Sequence, residues 1–213
     1  MAGILITRPN HDQITTYLSQ WSEYVITLAK SRGKSVFDLF STKAERKYFE
    51  QYLESKKPNF LFLNGHGSSD VICGFNDDVL LDEAANSSVV KGLLIFARSC
   101  NAGEHLGQIL VDKGVKTFIG YSKSFSIAIN NHYVFRPKDD PLAKLFIEPS
   151  NLIATTIIKG NTVQEAHHRS LLEMRKTLSE MISSDIPNKK DYAFALYNNM
   201  IGQVVIGDDQ AKI

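Results

Sequence analysis

Phe60-Leu61-Phe62-Leu63-Asn64-Gly65-His66-Gly67 and Leu93-Leu94-Ile95-Phe96-Ala97-Arg98-Ser99-Cys100-Asn101-Ala102-Gly103 are two apolar runs, each ending in a reactive side chain beside small residues. Neither run alternates polar with apolar, so both read as strands buried on both faces, the pattern of a parallel sheet. If the two strands are neighbours, His66 and Cys100 emerge side by side at the carboxyl edge, where open α/β sheets place their sites. The pair points to a cysteine-histidine hydrolase.

Outward from these runs the chain alternates strand and helix. Gly3 to Thr7 is an apolar run stopped by Pro9, and His11 to Ala29 repeats apolar residues at helical spacing through Ile14, Leu18, Trp21, Val25 and Leu28. Ser35 to Phe40 reads as a second strand, Lys43 to Lys56 as a charged amphipathic helix ahead of Pro58, and Asn59 to Leu63 as the third strand. The polar stretch Ser68 to Asn86 reads as a hairpin or irregular excursion beside the site. Gly92 to Ala97 is the next strand, Gly103 to Val111 a helix and Lys116 to Tyr121 a fifth strand. Ser122 to Pro141 lacks a period and reads as a long mobile segment, with Asp77-Asp78 and Asp139-Asp140 as solvated loop pairs. Helical pattern resumes from Leu142 to Lys159, and Asn161-Thr162 opens a helix through Met181 with Glu165 at the capping-box position. A short helix from Tyr192 to Asn199 and a strand from Gln203 to Ile206 follow. This alternation predicts a three-layer α/β/α sandwich on a mostly parallel sheet of about six strands, one domain over residues 1–213.

Composition narrows the function. A chain of 213 residues that is 43% hydrophobic can supply a sizeable core. A formal charge of +1 lacks the broad footprint of a nucleic-acid or membrane-surface binder. With no apolar run near membrane-span length and no basic leader before an apolar stretch, the chain is expected to be soluble and cytoplasmic. The two cysteines, Cys73 and Cys100, make no disulfide framework and leave Cys100 available as a thiol.

A thiolate is the attacking form of cysteine, and an ordinary thiol with a pKa near ~8.5 is mostly protonated at neutral pH. A helix amino terminus directly after Cys100 would favour the anion, and the imidazole of His66 could take or relay the proton. The glycines around His66 allow a close backbone approach, so the amides of Gly67 and Cys100 could hold an oxyanion. Cys73, in Val71-Ile72-Cys73-Gly74, has no evident base and is expected to be structural. His105 is expected on a helix surface, and His167-His168 lack the spacing of a metal pair.

The order strand, His-Gly, roughly thirty residues, strand, Ser-Cys and then small residues resembles the clan CD cysteine peptidases, which include caspases, metacaspases, separase, gingipains and bacterial CHAT proteins. Leu80-Leu81-Asp82, Asp140-Pro141-Leu142-Ala143, the start Gly160 to Ala166 and Val204 to Asp208 are similar to prokaryotic CHAT or gingipain-like members, so the resemblance covers most of the chain. It implies a caspase-like fold, Cys100 as nucleophile, His66 as general acid and base, and Gly67 with Cys100 as oxyanion hole. It implies a protein or peptide substrate and no metal or organic cofactor. A regulatory or sensor protein in a stress or defence pathway is the expected partner.

Within that family the first specificity pocket draws on the residue two before the nucleophile and on the end of the first strand. These positions are Arg98 and Arg8, and two guanidiniums converging on one pocket would select an acidic P1 residue, Asp before Glu. A basic P1 preference, a catalytically silent caspase-like interaction module and a flavodoxin-like domain with Cys100 as an oxidant sensor are the competing readings.

Overall fold

The computed structural model describes residues 3–84 and 89–213; Asn86, the expected end of the polar excursion, lies outside them. The elements in chain order are β1 (Gly3–Arg8), α1 (Gln13–Ser31), β2 (Ser35–Phe40), α2 (Arg46–Lys56), β3 (Phe60–Asn64), β4 (Val71–Cys73), β5 (Val79–Asp82) and β6 (Leu94–Arg98). They continue with α3 (Leu106–Asp112), β7 (Thr117–Tyr121), α4 (Pro141–Ile158), α5 (Val163–Ser183), α6 (Lys189–Gly202) and β8 (Gln203–Gly207). Among the described residues, no helix is long and apolar enough to cross a membrane.

The central sheet has the order β2-β1-β3-β6-β7-β8. Its first five strands pair in parallel, and β8 pairs antiparallel to β7 at the edge. The strands β1, β3, β6 and β7 are buried along their whole length, which is why their sequences are continuous apolar runs. Period two assigns alternate residues to two cores. Ile4, Ile6, Phe60, Phe62, Leu94 and Phe96 pack beneath α1, α4, α5 and α6, whereas Leu5, Leu61, Leu63, Ile95 and Ala97 pack with α2, α3 and the β4-β5 pair. The result is the expected three-layer sandwich.

Capping chemistry sets the helix starts. Asp12 caps α1 in a reciprocal box with Thr15, and Thr162 does the same for α5 with Glu165. Asp140 caps α4 through the amides of Leu142 and Ala143, and its other oxygen accepts from the Tyr17 hydroxyl at 3.0 Å and the Asn130 amide at 2.8 Å. At 1% exposure it is a buried cap, which corrects its reading as a solvated loop residue. The segment from Ser122 to Pro141 is also more tied than expected. Trp21 Nε1 donates to the Pro137 carbonyl at 2.9 Å, and the Asn199 amide side chain bonds both the N–H and the C=O of Ser126. A segment without secondary-structure periodicity is here fixed by side-chain bonds from outside it.

The polar excursion forms the antiparallel hairpin β4-β5, irregular between Ile72 and Cys73. Its turn holds Asn76 and Asp77 in succession at φ 52° and 59°, a left-handed conformation that short polar residues tolerate best. The Phe75 amide anchors this turn on the Ala44 carbonyl at 2.8 Å.

Candidate active site

Asn64 on β3 stands in register with Arg98 on β6. His66 and Cys100 therefore each lie two residues past a paired position, in neighbouring loops at the carboxyl edge. Two bonds join these loops: the Gly65 amide donates to the Arg98 carbonyl at 3.4 Å, and Ser99 Oγ donates to the His66 carbonyl at 3.0 Å. Gly67 is needed for this approach, since a Cβ there would lie 2.0 Å from Ser99 Oγ and 2.6 Å from the Val71 carbonyl. Gly67 also bridges Ile72, and the bonds closing that bridge come from the Ser68 and Cys73 amides on either side. The Gly67 amide is thus outside the ladder and turned away from β4, as an oxyanion donor must be.

A third residue joins the pair. Asp12 Oδ2 lies 2.5 Å from His66 Nε2, while its Oδ1 accepts from the Thr15 amide at 2.7 Å. Burial pushes the Asp12 carboxyl upward, but the hydrogen bond with His66 and those from Thr15 outweigh it and hold the pKa below the ordinary value. An ionised Asp12 accepts only, so Nε2 carries the hydrogen of the neutral ring and Nδ1 keeps the lone pair. The carboxylate fixes tautomer and orientation together. The sequence reading missed this residue: His66 is 54 positions away, and Asp12 looks like an ordinary helix cap.

Cys100 is partly exposed, and both cysteines are free. Its Sγ faces the Phe125 carbonyl at 3.8 Å, and the following amide, Asn101, donates to the Lys123 carbonyl at 3.2 Å, so the chain after β7 forms the other wall. The expected helix start directly after Cys100 is not there. Asn101 turns left-handed at φ 59°, the chain continues as a turn, and α3 begins only at Leu106 after His105. Gly103 explains the delay: its amide bonds the Tyr121 carbonyl at 2.9 Å, and a Cβ there would lie 2.5 Å from Val204. Close packing on β7 and β8 holds the chain out of helix, so no helix amino terminus faces the Cys100 thiol.

The two arginines do not form a substrate pocket. Arg98 has 0% exposure and projects, with Leu94 and Phe96, into the core under α1 and α4. Its Nε donates to Asn64 Oδ1 at 2.9 Å, Nη1 to Asn151 Oδ1 at 2.8 Å, and Nη2 to Ser22 Oγ at 2.9 Å and the Leu18 carbonyl at 3.2 Å. Burial pushes its pKa down to about 9, and the guanidinium stays charged at neutral pH. Arg8, at 7% exposure, grips Asp38 with two bonds of 2.8 and 2.7 Å and lies over the Phe40 ring. Both cations are committed inside the scaffold, which removes the physical basis for an acidic P1 preference.

His105 is exposed, with Nδ1 3.6 Å from Asp70, and His167 packs against the Gln203 backbone. His11 is different. Its ring meets His66 edge-on at 5.8 Å and Phe75 at 5.5 Å. Both of its nitrogens are buried and have no hydrogen-bond partner among the described residues. Each such group costs roughly 1–3 kcal/mol.

No family model matches the chain, and no curated protein matches it. Among solved structures it is similar to a complex of the pro- and mature domains of RgpB from Porphyromonas gingivalis, with a TM-score of 0.53 and 14% identity. That match covers 98% of this chain and 47% of the other, so this chain spans about half its length. The likeness establishes the fold: a helix-flanked, mostly parallel six-stranded sheet of the caspase-like kind.

Proposed function

We propose that this chain is a cysteine endopeptidase of the clan CD type, with Cys100 as nucleophile, His66 as general acid and base, and Asp12 as the residue that positions His66. The observation carrying this reading is the Asp12-His66 contact of 2.5 Å at the same sheet edge as the Cys100 loop. A base oriented by a third group beside a nucleophile is the arrangement that activates a thiol.

In the reaction, His66 takes the thiol proton and Sγ attacks the peptide carbonyl carbon. The amides of Gly67 and Cys100 hold the resulting oxyanion, each worth a factor of roughly 10²–10³ in rate. His66 then delivers its proton to the leaving nitrogen as the C–N bond breaks, leaving a thioester on Cys100. Water attacks that thioester, giving one proton to His66, and collapse releases the carboxylate product and restores the thiol. Asp12 keeps Nδ1 free as base and balances the imidazolium formed in each half-reaction.

The test is hydrolysis of fluorogenic peptides that differ only at P1 (Asp, Glu, Lys, Arg, Leu), with wild type and Cys100→Ala in parallel. Cleavage lost in Cys100→Ala supports the reading, and the preferred peptide gives the P1 class. No cleavage of any peptide, with Cys100 also unreactive toward iodoacetamide at neutral pH, rejects it in favour of an interaction module.

A further inference from the structure

We propose that His11, Asp12 and His66, with Asp77 as a fourth group, form a binding site for a divalent transition-metal ion of the zinc type, and that the ion takes His66 out of acid-base work. The existence of the site rests on geometry alone; its effect on hydrolysis rests on the peptidase reading.

One ligand atom from each of His11, Asp12 and His66 lies within 4.8 Å of the other two. His11 Nε2 is 3.6 Å from Asp12 Oδ2 and 3.6 Å from Asp77 Oδ1. In a tetrahedral site with bonds of about 2.0 Å, neighbouring ligand atoms are separated by roughly 3.3 Å. The two His11 spacings are already close to that edge; the His66-Asp12 contact has to open, and Asp77, which is within reach of His11 but outside the group of three, has to close on Asp12 and His66. Two imidazoles and carboxylates suit zinc, cobalt or nickel better than the all-oxygen preference of calcium or magnesium.

The unpartnered His11 ring is the independent observation. A side chain 11% exposed, with both nitrogens enclosed and unbonded, is poorly accounted for by packing. The surroundings hold it in place: Phe75 covers one side, and the left-handed turn at Asn76 and Asp77 brings a carboxylate to 3.6 Å. An ion would satisfy Nε2 and leave Nδ1 as the remaining orphan. It would also occupy His66 Nε2 in place of the proton, so that Nδ1 of that ring carries the hydrogen and cannot act as a base.

The experiment titrates Zn2+ and Co2+ into the Cys100→Ala protein, removing the sulfur of the neighbouring loop as a competing ligand, with calorimetry and the visible absorption of four-coordinate Co2+ as readouts. One ion per chain is expected, with affinity falling at least about tenfold in His11→Gln and severalfold in Asp77→Asn. A second measurement needs no ligand variant: Zn2+ should shift the ring signals of His11 and His66 in nitrogen-correlated NMR and leave those of His105, His132 and His168 in place. No saturable binding, or binding that leaves the His11 signals unmoved, overturns the site. In active wild type, Zn2+ inhibits, and His11→Gln resists it about tenfold better. Equal inhibition of both overturns the regulatory role, and an inactive wild type rejects the peptidase while the titration still decides the metal.

Discussion

Arg98 and His11 are both polar side chains enclosed near the carboxyl edge of one sheet, and they are treated in opposite ways. Arg98, fully buried, has acceptors on β3, α1 and α4 for its three nitrogens. His11 has none for either nitrogen among the described residues. A buried polar group with every bond made belongs to the scaffold; one left with bonds unmade, beside a histidine and two carboxylates, marks a place where something else binds. The contrast also separates two layers of the molecule: one lies beneath the sheet edge and holds the helices, and the other lies beyond it and carries the candidate site.

The largest expected effect tests the scaffold half. Arg98→Met leaves the buried Asn64 Oδ1 and Asn151 Oδ1 without a donor and removes the bonds to Ser22 and Leu18, and should lower stability by at least about 3 kcal/mol, read as a fall in the urea midpoint at unchanged slope. A loss below about 1 kcal/mol would mean that the network relaxes freely and that Arg98 is no more structural than His11. Next is Asp12→Asn. Asparagine caps a helix as well as aspartate, so stability should stay within about 0.5 kcal/mol of wild type. It cannot stabilise an imidazolium as a carboxylate does, so kcat should fall roughly 10- to 100-fold with KM unchanged. A parallel rise in KM would place Asp12 in substrate binding and remove it as the residue that positions His66.

His11→Leu then tests the other half, in protein freed of metal by a chelator. Removing two orphaned nitrogens at similar volume should leave stability unchanged or raise it by about 1 kcal/mol. A loss of more than about 1 kcal/mol would show that the ring is satisfied after all, for instance by water, and would break the contrast with Arg98.

The same contrast explains what could be read from the sequence. The strands of the sheet were legible because burial on both faces demands continuous apolar runs, and α5 because Thr162 and Glu165 announce its first turn. His66 and Cys100 were legible as a juxtaposition because each follows such a run. The direction of Arg98 was not. Alternation places it with Leu94 and Phe96, but both faces of β6 are apolar, so nothing in the run says which face lies under α1 and α4 and which meets α2 and α3. Asp12 and His11 escaped for another reason. Their partners lie on β3's loop and on the β4-β5 turn, and contacts of that range depend on the neighbour order of strands and the path of a hairpin, neither of which leaves a periodic signal.

His167 lies between the two extremes and gives the smallest effect. It is bonded to the Gln203 backbone, yet its Nε2 is buried with no partner among the described residues. Burial lowers its pKa; the Gln203 bond opposes that shift, and the neighbouring His168 adds to it. In the unfolded chain the ring titrates near 6.5, and in the folded chain it takes its proton only at lower pH. Between those two values the unfolded state binds more protons, so stability rises with pH across that window. The contribution is complete above about pH 6.5 and is lost as the pH falls toward the folded-state value. His167→Gln removes the titration and should flatten this part of the acid-side curve, a difference on the order of one or two degrees in Tm between pH 7 and pH 5. Curves that stay parallel for wild type and variant would mean that the ring is free to protonate in place. His167 would then leave the series that runs from Arg98 to His11, and incomplete bonding alone would not distinguish a site from a scaffold.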